Sequence, residues 1–520
     1  IWDLNNKTTK AAGGINCTWS GMNSGSINGQ SRNFRDYKEI GKRADILMLD
    51  DQSRTDAEGF QHNGAIGKMV HGLIGWDKLA PESMAQYDHV KPWFRLGSKP
   101  AAEARMWMID GIAGGIQPWW HMVAAYHEDR RMYHTAKPIM QWHKDNEQYL
   151  INRTPIANIG VVWSQDNNDY YGRDNAIELV ELPLRGVLQS MVRAQIPYLL
   201  VHADHIERDA AKFSVLILPN LALMTNSQIA AVRKFVDNGG SLIATDESSL
   251  YDEMGDRRSD YALSDIFGAH VVSGSNDKQD VPAEKMAGEA YHTYMRLTPE
   301  LRSQMRGPHT ANEPAVVGKR HAILKGFEET DILPYGGLLQ PLRVDAGAEV
   351  LLTYIPQFPT YPPEKSYMRV AKTDIPGVIV RTNSKGGRIA FVPADIDRQF
   401  ARFNHPDHGN LLSNIIHWAA KDDLPISVEG AGLVDCYLYQ QSGRMVLHVV
   451  NLTSAATWRQ PLDELIAIGP LKVKVKLPKS ISGRNLRSLV SKGPIAASVS
   501  NGYSQFEIKS ILDHEVIVIS

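Results

Sequence analysis

The first 150 residues alternate short apolar runs with longer stretches of helical spacing, and only four such runs are found. Residues 15–21 (INCTWSG), 44–51 (ADILMLDD), 68–74 (KMVHGLI) and 116–122 (IQPWWHM) read as buried strands, and 101–112 (AAEARMWMIDGI) carries apolar side chains at helical spacing. Such alternation implies βαβ units and a parallel sheet. Strands whose C-terminal ends carry Asp, His and Trp are what an α/β barrel presents at its active face. A barrel closes with about eight strands, so four predict a partial (β/α)8 barrel entered partway through. Residues 1–6 (IWDLNN) have neither the basic nor the apolar segment of a signal peptide and read as the middle of an amphipathic helix.

At 520 residues the chain is too long for one hydrophobic core. From residue 156 its character changes. Residues 156–163 (IANIGVVW), 197–201 (PYLLV), 213–219 (FSVLILP) and 241–245 (SLIAT) are continuous apolar strands. Helices are expected at 186–193 and 226–238, the second ended by Asn-Gly-Gly in a left-handed turn. This pattern predicts a flavodoxin- or amidotransferase-like doubly wound α/β domain, resumed by strands at 350–354 and 387–392 and a helix at 409–420. Beyond about 426 the period falls to two, with strands at 432–439, 445–451, 471–477 and 515–519, which predicts a C-terminal antiparallel β-sandwich. The expected domains are therefore 1–154, 155–424 and 425–520.

A formal net charge of −2 argues against a polyanion-binding role and no nucleic-acid partner is expected, because nucleic-acid-binding domains carry a basic face. No apolar stretch is long enough to span a bilayer. The two cysteines, Cys17 and Cys436, make no disulfide framework and no zinc site, and they suit bacterial cytoplasm or periplasm equally. Eighteen histidines include the pairs His121/His127 and His202/His205, but neither has the HExxH arrangement, so no metal and no cofactor is expected.

Residues 95–121 (RLGSKPAAEARMWMIDGIAGGIQPWWH), 213–245, 50–54 (DDQSR), 249–253 (SLYDE), 331–336 (DILPYG), 358–364 (FPTYPPE), 393–397 (PADID) and 448–453 (HVVNLT) resemble the family 42 β-galactosidases and a related set of glycoside hydrolases. The resemblance covers nearly the whole chain. It implies a (β/α)8 barrel, a trimerisation domain and a small C-terminal β domain. It makes 15–21 strand five, 44–51 strand six, 68–74 strand seven and 116–122 strand eight. It also implies an acid/base carboxylate after strand four, which would precede Ile1, and a nucleophilic Glu ending strand seven. Residues 70–77 (VHGLIGWD) offer no Glu there.

Glycoside cleavage uses two carboxylates, about 5–5.5 Å apart for retention and about 6.5–9.5 Å for inversion. Asp50 and Asp51 end a strand where catalytic groups belong, and at most one of two adjacent residues faces the pocket. The bland alternative is a helix cap or an ion pair with Arg54. Asp77 is the second candidate. Gln52, Arg54, His71, Trp76, Arg95, Trp119, Trp120 and His121 are candidate sugar contacts, with Trp93, His127, Asp129 and Arg130 nearby. Aromatic faces bind the apolar faces of sugar rings, although one of Trp119 and Trp120 should point outward into packing. His71 reads equally as a satisfied core histidine, and Glu103 and Arg105 as solvated or interface groups.

No cysteine lies between Cys17 and Cys436, so the doubly wound domain cannot perform amidotransferase chemistry. Its polar loop 246–258, with Glu247 and Tyr251, is expected to reach a barrel mouth of the same or a neighbouring subunit. No G-x-S-x-G elbow supports another hydrolase class. The expected function is a glycoside hydrolase, exo-acting, β-galactosidase-like or fucosidase-like, and a homo-oligomer (dimer or trimer). On this reading the chain alone lacks its acid/base. The competing expectation is an inactive carbohydrate-binding or assembly protein.

Overall fold

The computed structural model describes residues 1–88, 94–123, 126, 128–272, 279–280, 291–302, 320–339, 341–456 and 459–520. The chain divides into two compact units. One is Ile1–Ala157 with Val192–Leu200 and Leu424–Ser520; the other is Asn158–Met191 with Val201–Asp423.

In the first unit four parallel strands lie in the order Met22–Asn23, Met48–Leu49, Pro81–Ala85 and Gln117–His121. Two of the four expected strands need correction. Residues 15–21 form no strand; pairing begins at Met22, which stands opposite Met48, and the Asn23 side-chain amide donates to the Met48 carbonyl at 3.0 Å. Residues 68–74 are the end of helix Gln61–Ile74, stopped by Gly75 at φ 98°. That helix is buried along most of its length, so its apolar run lacks an exposed stripe and mimics a buried strand. The true third strand, Pro81–Ala85, reads PESMA and escapes a search for apolar runs.

Helix Gln61–Ile74 packs against helix Ala101–Ala113 through small residues. The Asn63 amide donates to the Trp107 carbonyl at 2.9 Å, and the Gly64 N–H donates to Asp110 Oδ2 at 2.9 Å. A Cβ on Gly114 would lie 2.4 Å from the Gly64 Cα, and one on Gly67 would lie 2.7 Å from the Gly114 carbonyl oxygen. Both obstacles are backbone, so relief requires the helices to separate. Gly114→Ala should therefore lower stability by about 1–3 kcal/mol, read as a fall in the urea midpoint. An unchanged midpoint would mean that this crossing is not tight.

The C-terminal strands form two antiparallel sheets. Ile426–Glu429, Leu471–Lys476, Tyr503–Ile508 and Ala497–Ser500 make one; Gly493–Ile495, Leu486–Ser488, His514–Ile519, Arg444–Asn451, Val434–Gln441 and Thr154–Pro155 make the other. Along Leu471–Lys476 burial alternates strictly, and Leu471, Val473 and Val475 join Leu447, Phe506 and Ile517 in the core. The period of two read from the sequence is thus the inward–outward alternation of a half-buried strand.

The second unit carries a nine-stranded mixed sheet. Its order is Ile332–Pro334, Tyr291–Leu297, Glu349–Pro359, Pro376–Thr382, Arg388–Val392, Ser241–Thr245, Val215–Leu218, Ile159–Trp163 and Leu199–His202. The pairings from Ile159–Trp163 through Arg388–Val392 are parallel. Helix Asn226–Asp237 starts at a capping box, Thr225 with Gln228, and ends through Gly239 at φ 93°, as the Asn-Gly-Gly sequence predicts.

Candidate active site

The C-terminal ends of the four parallel strands define the mouth where a barrel enzyme places its chemistry. Strand register assigns the faces. Ser83 pairs with Trp119 and Ala85 with His121, while Leu49 pairs with Glu82. Residues paired across a parallel ladder share a face, and neighbours along a strand alternate. Ser83, Ala85, Trp119 and His121 therefore share the inner face, and Leu49, Glu82, Met84 and Trp120 point toward the helices.

The ladder continues to Asp50, whose N–H donates to the Asn23 carbonyl at 2.7 Å. Alternation thus places Asp50 on the inner face and Asp51 on the outer one. Contacts agree: the Asp51 carboxylate lies 3.3 Å from His62 Nε2 on the outer helix, and its carbonyl accepts from the Trp107 indole at 3.2 Å. Of the two adjacent carboxylates, Asp50 faces the mouth.

Asp50 is held in place by a relay. The Gln52 amide donates to Asp50 Oδ1 at 2.6 Å, and the Tyr87 hydroxyl donates to Gln52 Oε1 at 2.6 Å. Lys99 Nζ donates to the Gln52 carbonyl at 3.2 Å, and the Arg95 guanidinium lies 5.5 Å from the Tyr87 ring centre. With both ends of its amide engaged, Gln52 cannot flip without losing two bonds. His121 Nδ1 lies 3.1 Å from Ser83 Oγ, its ring stacks on Trp119 at 6.1 Å, and it meets the edge of Tyr87 at 6.1 Å. Trp119 is 45% exposed, which leaves an aromatic surface open on the inner face. Sequence reasoning missed Tyr87, Ser83 and Lys99. For Ser83 and Tyr87 the signal is the polar run 81–88 (PESMAQYD), and Lys99 stands in the 95–121 run without a mark of its own.

Other candidates fall elsewhere. Asp77 is exposed and follows Gly75 ahead of the Pro81–Ala85 strand, at the strand's N-terminal end and opposite the mouth. Arg54 and Glu103 form a buried bidentate pair at 2.9 and 3.0 Å, and Glu103 also accepts from the Leu462 N–H at 2.7 Å. That commits Arg54 to the interior; Glu103 is buried and not solvated, and its second contact is to the C-terminal segment. Arg105 does reach across, to Asp513. Trp76 stacks on His71 at 4.4 Å and meets Tyr439 at 5.6 Å, so both act in packing. Trp120 is half-buried on the outer face. Asp129 is tied to the Ser98 N–H at 2.8 Å and to Arg131 at 2.6 Å, and Arg130 is exposed. Trp93 and His127 lie outside the described residues. Glu82 is a fully buried carboxyl whose pKa is pushed well above its ordinary value by burial and by Asp51, but it faces the helices.

The loop after Thr245 is anchored within its own unit. Residues 246–250 are buried. Glu247 accepts from the Tyr171 hydroxyl at 2.6 Å, its N–H donates to Asn220 Oδ1 at 3.1 Å, and Tyr251 packs on Tyr171 at 4.9 Å. Glu247 is thus committed to an internal polar network and is not on a free projecting loop. Asn167, Asn220 and Ser248 complete that network and fill the crevice between strands Ile159–Trp163 and Val215–Leu218, where chain order reverses.

His71 bridges the Gly75 and Gly115 carbonyls at 3.0 and 2.9 Å, and His448 Nε2 accepts from the Arg153 guanidinium at 2.8 Å. Burial holds His71 below its ordinary 6.5, and burial with the Arg153 charge holds His448 well below it. His448 accepts from Arg153 through an unprotonated Nε2, and burial disfavours the charged form of both rings in the fold relative to the unfolded chain. Their contribution is complete above pH 6.5 and is lost as pH falls from there toward their depressed folded values. The melting temperature should drop steadily between pH 7 and pH 5, with each histidine adding up to about 1.4 kcal/mol per pH unit. A flat profile over that range would rule this out.

No protein-family model and no curated protein matches this chain. Solved structures do. An α-L-fucosidase, isoenzyme 2 from Paenibacillus thiaminolyticus, superposes with a TM-score of 0.65 at 13% identity, covering 93% of this chain and 66% of that one. A β-galactosidase from Bacillus circulans sp. alkalophilus gives 0.64 at 14%, covering 97% and 64%. One from Rahnella sp. R3 gives 0.63 at 12%, covering 98% and 64%. The chain spans about two thirds of the length of these proteins. Its fold is that of glycoside hydrolases, as the sequence resemblance implied. Among the described residues no helix is long and apolar enough to cross a membrane, and no group of three or more His, Cys, Asp or Glu could hold a metal ion.

Proposed function

We propose that this chain belongs to a glycoside hydrolase acting on the terminal residue of a galactoside- or fucoside-like glycan, with Asp50 as one carboxylate of its catalytic pair. The observation that carries the reading is the inner-face cluster: a carboxylate fixed by the Gln52–Tyr87 relay, whose tyrosine ring meets the His121 imidazole, itself stacked on an open indole. Such a cluster offers a charged group for the reacting centre and a flat surface for the sugar ring. Arg95, Trp119 and His121 are the sugar contacts on this reading, and Gln52 holds Asp50. The second carboxylate comes from outside these four strand ends. A homo-oligomer is the assembly proposed.

One observation favours a second reading. The strand in the seventh barrel position ends in Ala85, where the resemblance implies a nucleophilic Glu. A carbohydrate-binding protein without hydrolytic activity is the alternative. The purified chain and its Asp50→Asn variant should be assayed on a panel of nitrophenyl glycosides, with calorimetric titration of the free sugars. Turnover that disappears in Asp50→Asn supports the hydrolase. Saturable binding without turnover, weakened by Trp119→Ala, supports the alternative.

A further inference from the structure

A second polar cleft lies within the first unit, between helix Met132–Asp145 and the turn joining strands Leu486–Ser488 and Gly493–Ile495. Its volume is about 490 Å³, within the usual range for small-ligand sites. Trp142 forms part of its lining and is fixed, not mobile: the indole N–H donates to the Leu489 carbonyl at 3.3 Å, and His514 meets the ring at 5.0 Å and 84°. The helix wall adds planar hydrogen-bonding groups. Gln141 and Asp145 are bonded to each other at 2.7 Å, and Asn146 donates to the Trp142 carbonyl at 2.9 Å.

The opposite wall is cationic. Arg487 is braced by a bond to the Tyr149 hydroxyl at 2.7 Å, and Lys492 stands exposed at the turn. Two cations and one carboxylate line the cleft, that carboxylate is already engaged by Gln141, and Glu515 is turned away from the lining, accepting from the Val490 and Ser491 N–H groups behind the turn. A ring surface, planar donors and acceptors, and an excess of positive charge together match a sugar that bears an anionic group.

We propose that this cleft binds an acidic saccharide unit, carrying either a uronate carboxylate or a sulfate ester, as a docking site separate from the mouth. The choice of a saccharide rests on the carbohydrate reading above. The mouth carboxylate is not needed for it.

Calorimetric titration of the whole chain with an oligogalacturonate, a sulfated galactan oligosaccharide and a neutral galactan oligosaccharide of equal length tests this. An acidic oligosaccharide should bind, more weakly as salt rises, and the neutral one should bind at least tenfold more weakly. Lys492→Glu, at an exposed turn where folding is not at risk, should cut acidic binding at least tenfold; Trp142→Ala should do the same, and Asp50→Asn should leave it unchanged. Binding of the uronate alone or of the sulfate alone identifies the anionic group. No acidic binding, full binding by Lys492→Glu, or loss in Asp50→Asn overturns the proposal. Cleft binding by a chain that hydrolyses no glycoside would sink the hydrolase reading and leave this site standing.

Discussion

Lys68→Met should destabilise the first unit by about 3 kcal/mol near pH 8, because it strips the cation from a buried cluster of two carboxyls. Lys68 Nζ is buried, 3.5 Å from the centre of the Tyr198 ring and 4.2 Å from that of Tyr437; burial lowers its pKa, and the Asp435 and Asp110 charges oppose that and favour the ammonium. The Tyr437 hydroxyl is 2.8 Å from Asp435 Oδ2 and 3.1 Å from Asp110 Oδ2. It has one proton and cannot donate to both at once. Burial pushes both carboxyls above their ordinary 3.8, and Lys68 is a charge that pulls each of them back down. Methionine keeps the length of the stem but removes the charge, so both folded values should rise further.

A carboxyl whose folded pKa is raised is a liability above its unfolded pKa, and that liability fades as pH falls toward the unfolded value. The deficit of Lys68→Met relative to the parent should therefore be largest at pH 8 and clearly smaller at pH 5. Urea midpoints of the two proteins at both pH values measure it. A deficit below about 1 kcal/mol, or one that grows on acidification, would show that the cluster does not depend on Lys68 for its charge balance.

How far the sequence could be read depended on whether burial left a period in it. Helix Asn226–Asp237 has one wet face, a side-chain cap and a glycine stop, and it was legible to within a residue. Strand Ser241–Thr245 was legible because its continuous apolar run sits between a helix stop and a polar loop. Helix Gln61–Ile74 is buried on most sides, so its period vanished and its last turns passed for a strand. Reading those turns as a strand puts the strand end at Asp77 and passes over Ser83 and Tyr87 on the strand that follows and just beyond it. The position of Asp50 was legible as a strand end, but its separation from Asp51 required the register. The Arg54–Glu103 pair joins residues 49 apart in sequence, and no local pattern announces it.

Asp50→Asn should lower kcat/KM on whichever glycoside the protein cleaves by about 10²–10⁴, the range expected when a positioned catalytic carboxylate is neutralised. The amide matches the carboxyl in size, so folding should be unaffected, and binding of the free sugar should change little. Tyr87→Phe separates this role from a structural one. It removes the 2.6 Å bond that fixes the Gln52 amide while leaving the ring against Arg95 and His121. Gln52 can then rotate and present its oxygen to Asp50, which would misplace the carboxylate. The expected result is a fall in kcat of about tenfold with KM nearly constant, because orientation at the reacting centre is lost while ground-state sugar contacts remain. A fall confined to KM would make Tyr87 a sugar contact instead. Full activity in Asp50→Asn would remove Asp50 from the chemistry altogether and leave its relay as a device that shapes the mouth.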